Sequence, residues 1–287
     1  MSKVERKTYE LYGGDVIIEF LPNSHRYHLI KDGQELPKKK RLSGVTTFTG
    51  QIDKSTPLII WATRLYTHTV KDMIGDTSSL TKDDVLAMLE SGEIAYKEKK
   101  ETAATIGDYV HKFAELYSES KNEETAYNLM LQELGEPSED QLKRIQDGCV
   151  GFIQWINDNK AEILQAEKVV YSRKQGFVGT FDAIIQVDGK KYLADYKTGK
   201  KVYPEYYYQT SAYLHAYEEE TGEKLNGAMI IVIIKEDIEN KDGEIVQKAG
   251  DVVTETRSRS DCIADYKAFK GLITLKDRQR FNSKWGK

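Results

Sequence analysis

Two cysteines, Cys149 and Cys262, are all that the 287 residues contain. They make neither a CxxC pair nor a metal quartet, so a disulfide framework and a cysteine-built metal site are excluded. Free thiols in a reducing compartment are the expectation. Long apolar runs are also lacking, and the opening MSKVERKTYE has no signal-peptide core. That argues against a membrane partner and for a cytoplasmic setting. An excess of positive charge is missing too: the net charge is −4 and the pI about 5.9. A nucleic-acid ligand would then have to be met by basic residues gathered locally. The candidates are Lys38-Lys39-Lys40-Arg41, Lys97-Glu98-Lys99-Lys100, Arg173-Lys174 and Lys200-Lys201. Each also fits a solvated charge run. Finally, no Walker A loop, internal repeat, low-complexity tract or long linker interrupts the chain, so no domain boundary is evident.

What is present centres on Gly176–Tyr213. Two β-prone runs, Val178–Val187 and Lys190–Lys197, flank Asp188-Gly189, a dipeptide that favours a two-residue type I′ turn. In that hairpin Val187 faces Lys190, and Asp182 falls opposite Asp195. Lys197 points from the same face as Asp195. Carboxylates directly opposed on antiparallel strands repel, their Cβ atoms being roughly 4.5–5.5 Å apart. The apolar neighbours Phe181, Ala183 and Ile184 predict burial, which makes a shared proton or a cation necessary. A hard divalent cation such as Mg²⁺ takes oxygen ligands and keeps water positions open. Lys197 adds a fixed positive charge suited to a phosphate oxygen or an attacking water. Taken alone, the same three residues also fit a solvated hairpin face.

Val202–Glu220 reads as the next helix, with Pro204 in its first turn, and places Gln209 and Tyr213 at i, i+4 on one side. Ala228–Ile234 is a continuous apolar run, as expected of a strand buried on both faces. A polar hairpin with Asn240–Gly243 at its tip follows, and then a helix, Ser260–Phe281, with Ile263, Tyr266, Phe269 and Leu272 toward the core. Upstream, residues 1–55 read as β-rich, with an Asp32-Gly33 turn between Arg26–Lys31 and Gln34–Leu36 and a β-branched stretch at Gly44–Phe48. His25 and His28 lack a carboxylate or cysteine at ligand spacing and read as surface or packing histidines. From Pro57 the pattern is helical. Leu58, Ile59, Trp61, Ala62, Leu65 and Tyr66 form an apolar stripe, and Thr81 caps a second helix. In ATIGDYVHKFAELY, His111 and Glu115 share one helical face. A break at Gly135-Glu136-Pro137 precedes a long amphipathic segment carrying Ile145, Cys149, Phe152, Ile153 and Trp155. Glu167 leads into a strand, Lys168–Ser172, and by default has a structural role or a supporting one behind the site's ligands.

Three strings arrive in order: Gly179-x-x-Asp182, Asp195-Tyr196-Lys197, and Gln209-x-x-x-Tyr213. Together they resemble the RecB-like branch of the PD-(D/E)XK nucleases. The resemblance implies a restriction-endonuclease-like αβββαβ core over roughly residues 138–235, an α/β fold with a mixed central sheet flanked by helices. The chain would be a single nuclease domain, with an N-terminal β-rich segment (1–55), a helical insert (56–137) and the core with its C-terminal helix (138–287). Gly107 to His111 is similar to the family's G-x-x-x-H helix, which implies His111 as a metal ligand, Glu115 being a weaker outer candidate. The insert would then fold back over the site as one wall of a DNA passage.

On this reading Mg²⁺ or Mn²⁺ is held by His111, Asp182, Asp195 and the main-chain carbonyl of Tyr196. Lys197 orients or stabilises the nucleophile, and Gln209 and Tyr213 hold it and a substrate phosphate in place. Two cysteines exclude the iron–sulfur cluster that some RecB-like nucleases carry. The expected substrate is DNA, most readily its ends, and the expected setting is DNA processing, recombination or repair in a bacterial or phage-infected cell. Any helicase or recombination partner would be a separate chain. The alternatives are an endonuclease, a non-catalytic nucleic-acid-binding protein that keeps the fold, and a small-molecule phosphohydrolase. Retention of Asp182, Asp195 and Lys197 together argues against the binding protein. The Gln-Tyr helix and the basic pairs beside the site favour a polymer substrate.

Overall fold

The computed structural model describes residues 6–33, 40–75 and 80–283. Lys38, Lys39 and the Gln34–Leu36 run lie outside them. The chain opens with strands β1 (Lys7–Leu11), β2 (Val16–Leu21), β3 (Arg26–Asp32) and β4 (Lys40–Arg41), an antiparallel sheet in that order. Then come β5 (Ser43–Gly44) and a short helix α1 (Val45–Thr49). The β-branched residues here predict a strand, but Val45 and Phe48, three apart, are both buried, and that spacing is helical. Tertiary packing overrides local propensity.

Helix α2 (Ser55–Ile74) carries the expected apolar stripe, yet buries none of it fully: Leu58, Ile59 and Trp61 stay exposed. It packs instead along α3 (Lys82–Ser120), which is a single helix of 39 residues. Its start is a capping box between Thr81 and Asp84. Helix α4 (Glu123–Leu134) ends at Gly135, and α5 (Glu139–Asp158) restarts after Pro137. All five core residues expected on α5 are buried.

Strand β6 (Glu162–Ser172) begins six residues before the expected start, so Glu167 lies inside it. It pairs antiparallel with β7 (Phe177–Val187), which pairs antiparallel with β8 (Lys190–Gly199). The β7–β8 turn has positive φ at both Asp188 (48°) and Gly189 (71°), as a type I′ turn requires. Helix α6 (Pro204–Thr221) crosses to β9 (Gly227–Ile234), which joins β8 in parallel and is buried throughout. A small hairpin, β10 (Ile238–Glu239) and β11 (Ile245–Gln247), leads to β12 (Val252–Ser258), antiparallel to β9. Helix α7 (Arg259–Asn282) buries Phe269 but leaves Ile263 exposed, contrary to the expected stripe.

The result is a mixed central sheet with helices on both faces. Ala183, Ile185, Ala194 and Tyr196 pack with α3 and α5 on one side. Phe181, Ile184 and Leu193 pack with α6 and α7 on the other. Strict alternation would put Phe181 on the side of Ala183, so the pleat of β7 breaks at Asp182. At the same point β7 and β8 separate. Their pairing stops at Ala183–Ala194, and further along, at Phe177–Val178, that edge of β7 takes up β5 instead. The fork between two separating strands is where the carboxylates stand.

Candidate active site

Asp195 lies on β8 and is only 1% exposed. Its carboxylate pairs with the Lys197 ammonium, two residues along on the same face. Asp182 takes the next register position after Ala183–Ala194, but the ladder does not continue there. Its Oδ2 accepts the backbone N–H of Tyr196 at 2.6 Å, a strand donor that a neighbouring carbonyl would otherwise take. The side chain is 15% exposed, so it opens to solvent on one side.

Helix α3 brings His111 to this fork. Gly107, one turn earlier, makes the approach possible: a Cβ there would lie 2.9 Å from Thr198 Oγ1 of β8. His111 Nδ1 stands 3.7 Å from Asp182 Oδ2, and the imidazole lies edge-on to the Tyr196 ring with centroids 6.4 Å apart. From α6, Gln209 Nε2 donates to the Tyr213 hydroxyl (3.2 Å) and, at a long 3.5 Å, to Asp195 Oδ1. Tyr206 of the same helix adds its ring 5.4 Å from Lys197 Nζ, a cation–π contact not foreseen in the sequence. Gly179 completes the packing, since a Cβ on it would come within 2.5 Å of the Tyr213 ring.

Burial raises Asp195 to about 6, with Lys197 opposing the shift and Asp182 adding to it. Asp182 is raised as well, chiefly by burial. Burial presses Lys197 downward, but Asp195 and Asp182 more than offset this and hold it above its usual range. Burial and then Lys197 push His111 down to about 4, so its imidazole is neutral at physiological pH.

Two further carboxylates face the fork. Ala166–Ala183 and Lys168–Phe181 are register pairs, so Glu167 stands across β6 and β7 from Asp182. Its φ of +46°, unusual within a strand, marks local strain. The residue is exposed on the strand, yet partial desolvation beside the cleft, then Asp182 and Glu115, raise its carboxyl to about 8. The expected strand began one residue too late to reveal this. Carrying the hairpin register back through Arg173–Gly176 would have shown it. Glu115, one turn beyond His111, is instead engaged by Lys112 at 2.6 Å.

The donor set fits a hard divalent ion: two carboxylates, one neutral imidazole and one main-chain carbonyl. The buried Asp195 Oδ2 also lacks a hydrogen bond of regular geometry. As placed, no three His, Cys, Asp or Glu groups among the described residues close around one point at chelating distance. Lys197 compensates Asp195, and the Tyr196 N–H compensates Asp182.

The basic pairs divide. Arg173 is held by Asp15 (3.2 Å) and Asp32 (2.6 Å). Lys200 meets Glu236 at 3.0 Å and Lys99 meets it at 3.9 Å, just past the ends of β8 and β9. Arg144 and Lys235 act on the same carboxylate, so four cations gather around one anion.

The family model for the PD-(D/E)XK nuclease superfamily matches residues 87–280, more than half of the chain. No curated protein matches. Among solved structures, one titled "Crystal structure of SSO0001" is 16% identical over 58% of this chain and 74% of its own. Its TM-score of 0.26 is too low to carry an argument.

Proposed function

Because the chain belongs to the PD-(D/E)XK nuclease superfamily, we propose that it is a metal-dependent deoxyribonuclease of the RecB-like branch, acting on DNA ends. The observation that carries this reading is the Asp195–Lys197 pair in the β7–β8 fork, with Asp182 turned onto the Tyr196 N–H beside it. Two carboxylates, an ammonium and a neutral imidazole gather at the fork, where the Asp182 side chain stays 15% exposed.

His111, Asp182, Asp195 and the Tyr196 carbonyl would hold Mg²⁺ or Mn²⁺. Such an ion, when bound, lowers the pKa of a water molecule and offsets charge that builds up on phosphate oxygens. Lys197, charged throughout the working pH range, positions the attacking water and stabilises the same oxygens. Gln209 fixes Asp195 from α6, with the Tyr213 hydroxyl as its second partner, and Tyr206 limits where the Lys197 ammonium sits. The Lys99, Arg144, Lys200 and Lys235 group would contact backbone phosphates on the β8–β9 side. A helicase or recombination partner, where one acts, is a separate chain.

The test compares linear with covalently closed circular DNA, each in Mg²⁺, Mn²⁺ or EDTA. Metal-dependent loss of the linear form alone is expected of an end-directed enzyme. Nicking or linearisation of circles would replace the exonuclease reading with an endonuclease. Intact DNA in every lane would bring forward a binding protein that keeps the fold.

A further inference from the structure

A cleft of about 670 Å³ lies between the N-terminal sheet and the β6 and β7 residues that flank the fork. At one end it meets Glu167, Gly179 and Tyr213 of the site itself. At the other its wall is β1–β4, a sheet that lies before the residues matched by the family model. The two ends are tied together, because the Tyr27 hydroxyl of β3 bonds Thr180 Oγ1 of β7 at 2.8 Å. Thr180 lies two residues from Asp182.

The far wall has two components. One is aromatic: the half-buried Phe20 lies on the buried Tyr27, with ring centroids 4.5 Å apart, and the exposed His25 stands edge-on to Phe20 at 5.2 Å. His25 is held out by a left-handed backbone (φ 47°) at the end of a short turn. The other is cationic. Lys7, Arg26 and Arg41 line the cleft, are exposed, and form no ion pair among the described residues. In a chain of net charge −4, three uncompensated cations on one wall stand out. Glu115, Glu119 and Glu167, on α3 and β6, also line the cleft.

Aromatic rings interleaved with unpaired cations along a groove match the chemistry of a single nucleic-acid strand, whose bases stack while its phosphates are neutralised. We infer that this cleft receives a single-stranded DNA segment, with bases on Phe20 and His25 and phosphates on Lys7, Arg26 and Arg41, leading the strand toward the catalytic fork. The inference rests on the nuclease reading for what happens at the fork, but not for the binding itself.

The experiment measures binding in EDTA, where no turnover occurs. The probes are fluorescein-labelled oligo(dT) of about twelve nucleotides, within the usual site size, and a blunt duplex of equal length. Wild-type protein is expected to bind the single strand at least tenfold more tightly. Arg26→Gln with Arg41→Gln should flatten the log–log salt slope by about 1.4, at about 0.7 for each lost single-strand phosphate contact. His25→Asn keeps the left-handed backbone acceptable and removes the ring, and should weaken binding about tenfold. All three side chains are exposed, so melting temperatures should stay at the wild-type value. Equal affinity for duplex and single strand would overturn the inference, as would variants with unchanged affinity and salt slope. Failure of the wild-type protein to cleave DNA in Mg²⁺ or Mn²⁺ would count against the nuclease reading alone.

Discussion

Tyr213 occupies the space that a side chain at Gly179 would need: the missing Cβ would lie 2.5 Å from its ring. The glycine of the G-x-x-D string is therefore a packing requirement that sets where α6 sits on β7. Gly179→Ala should push Tyr213 outward and disturb its contact with Gln209. The expected cost is about 1–3 kcal/mol of stability, as for other overpacked cores. Thermal denaturation checks it, and an unchanged melting temperature would show that α6 can shift freely.

Glu167 facing Asp182 gives a pH-dependent outcome. The folded-state pKa of Glu167, about 8, lies above its ordinary value of 4.5. The folded protein holds that proton more tightly than the unfolded chain does. The resulting stabilisation is full below pH 4.5 and is lost as pH rises toward 8. Glu167→Gln cannot lose its hydrogen and should gain stability relative to wild type across that window. Solvent access to the side chain makes the gain smaller than the shift alone implies. Melting curves at pH 5 and pH 8.5 measure it, and a constant difference between the two proteins would remove the coupling.

His111→Ala should leave the fold intact, since the ring is partly exposed and lies beside the site rather than in the core. Mn²⁺ affinity, measured by calorimetry, should fall about tenfold or more. An unchanged titration would take His111 out of the ligand set.

The hairpin at the centre of the site was legible because its turn is fully specified. Asp188-Gly189 fixes the register, and the register places Asp182 beside Asp195. The α5 core stripe and the all-apolar β9 were legible for a similar reason, each following a single periodicity. Four features were not. Val45–Thr49 is helical because Val45 and Phe48 find partners that local composition does not reveal. The α2 stripe reads as buried, but its partner α3 covers only part of it. The place of Glu167 opposite Asp182 was not legible because β6 continues through a residue with positive φ, which no propensity anticipates. The cleft wall from β1–β4 also depends on a long-range contact, Tyr27 with Thr180, and has no local signature.

Lys197, paired with Asp195, is the residue on which the proposed metal-dependent phosphodiester hydrolysis depends most. The most direct measurement is the rate of cleavage of end-labelled linear DNA by wild-type and Lys197→Ala proteins, each with Mg²⁺, Mn²⁺ or EDTA. The account predicts cleavage by wild type only with metal, and a loss on the order of 10³-fold in the variant. Cleavage that persists in EDTA, or a Lys197→Ala protein as fast as wild type, would contradict it.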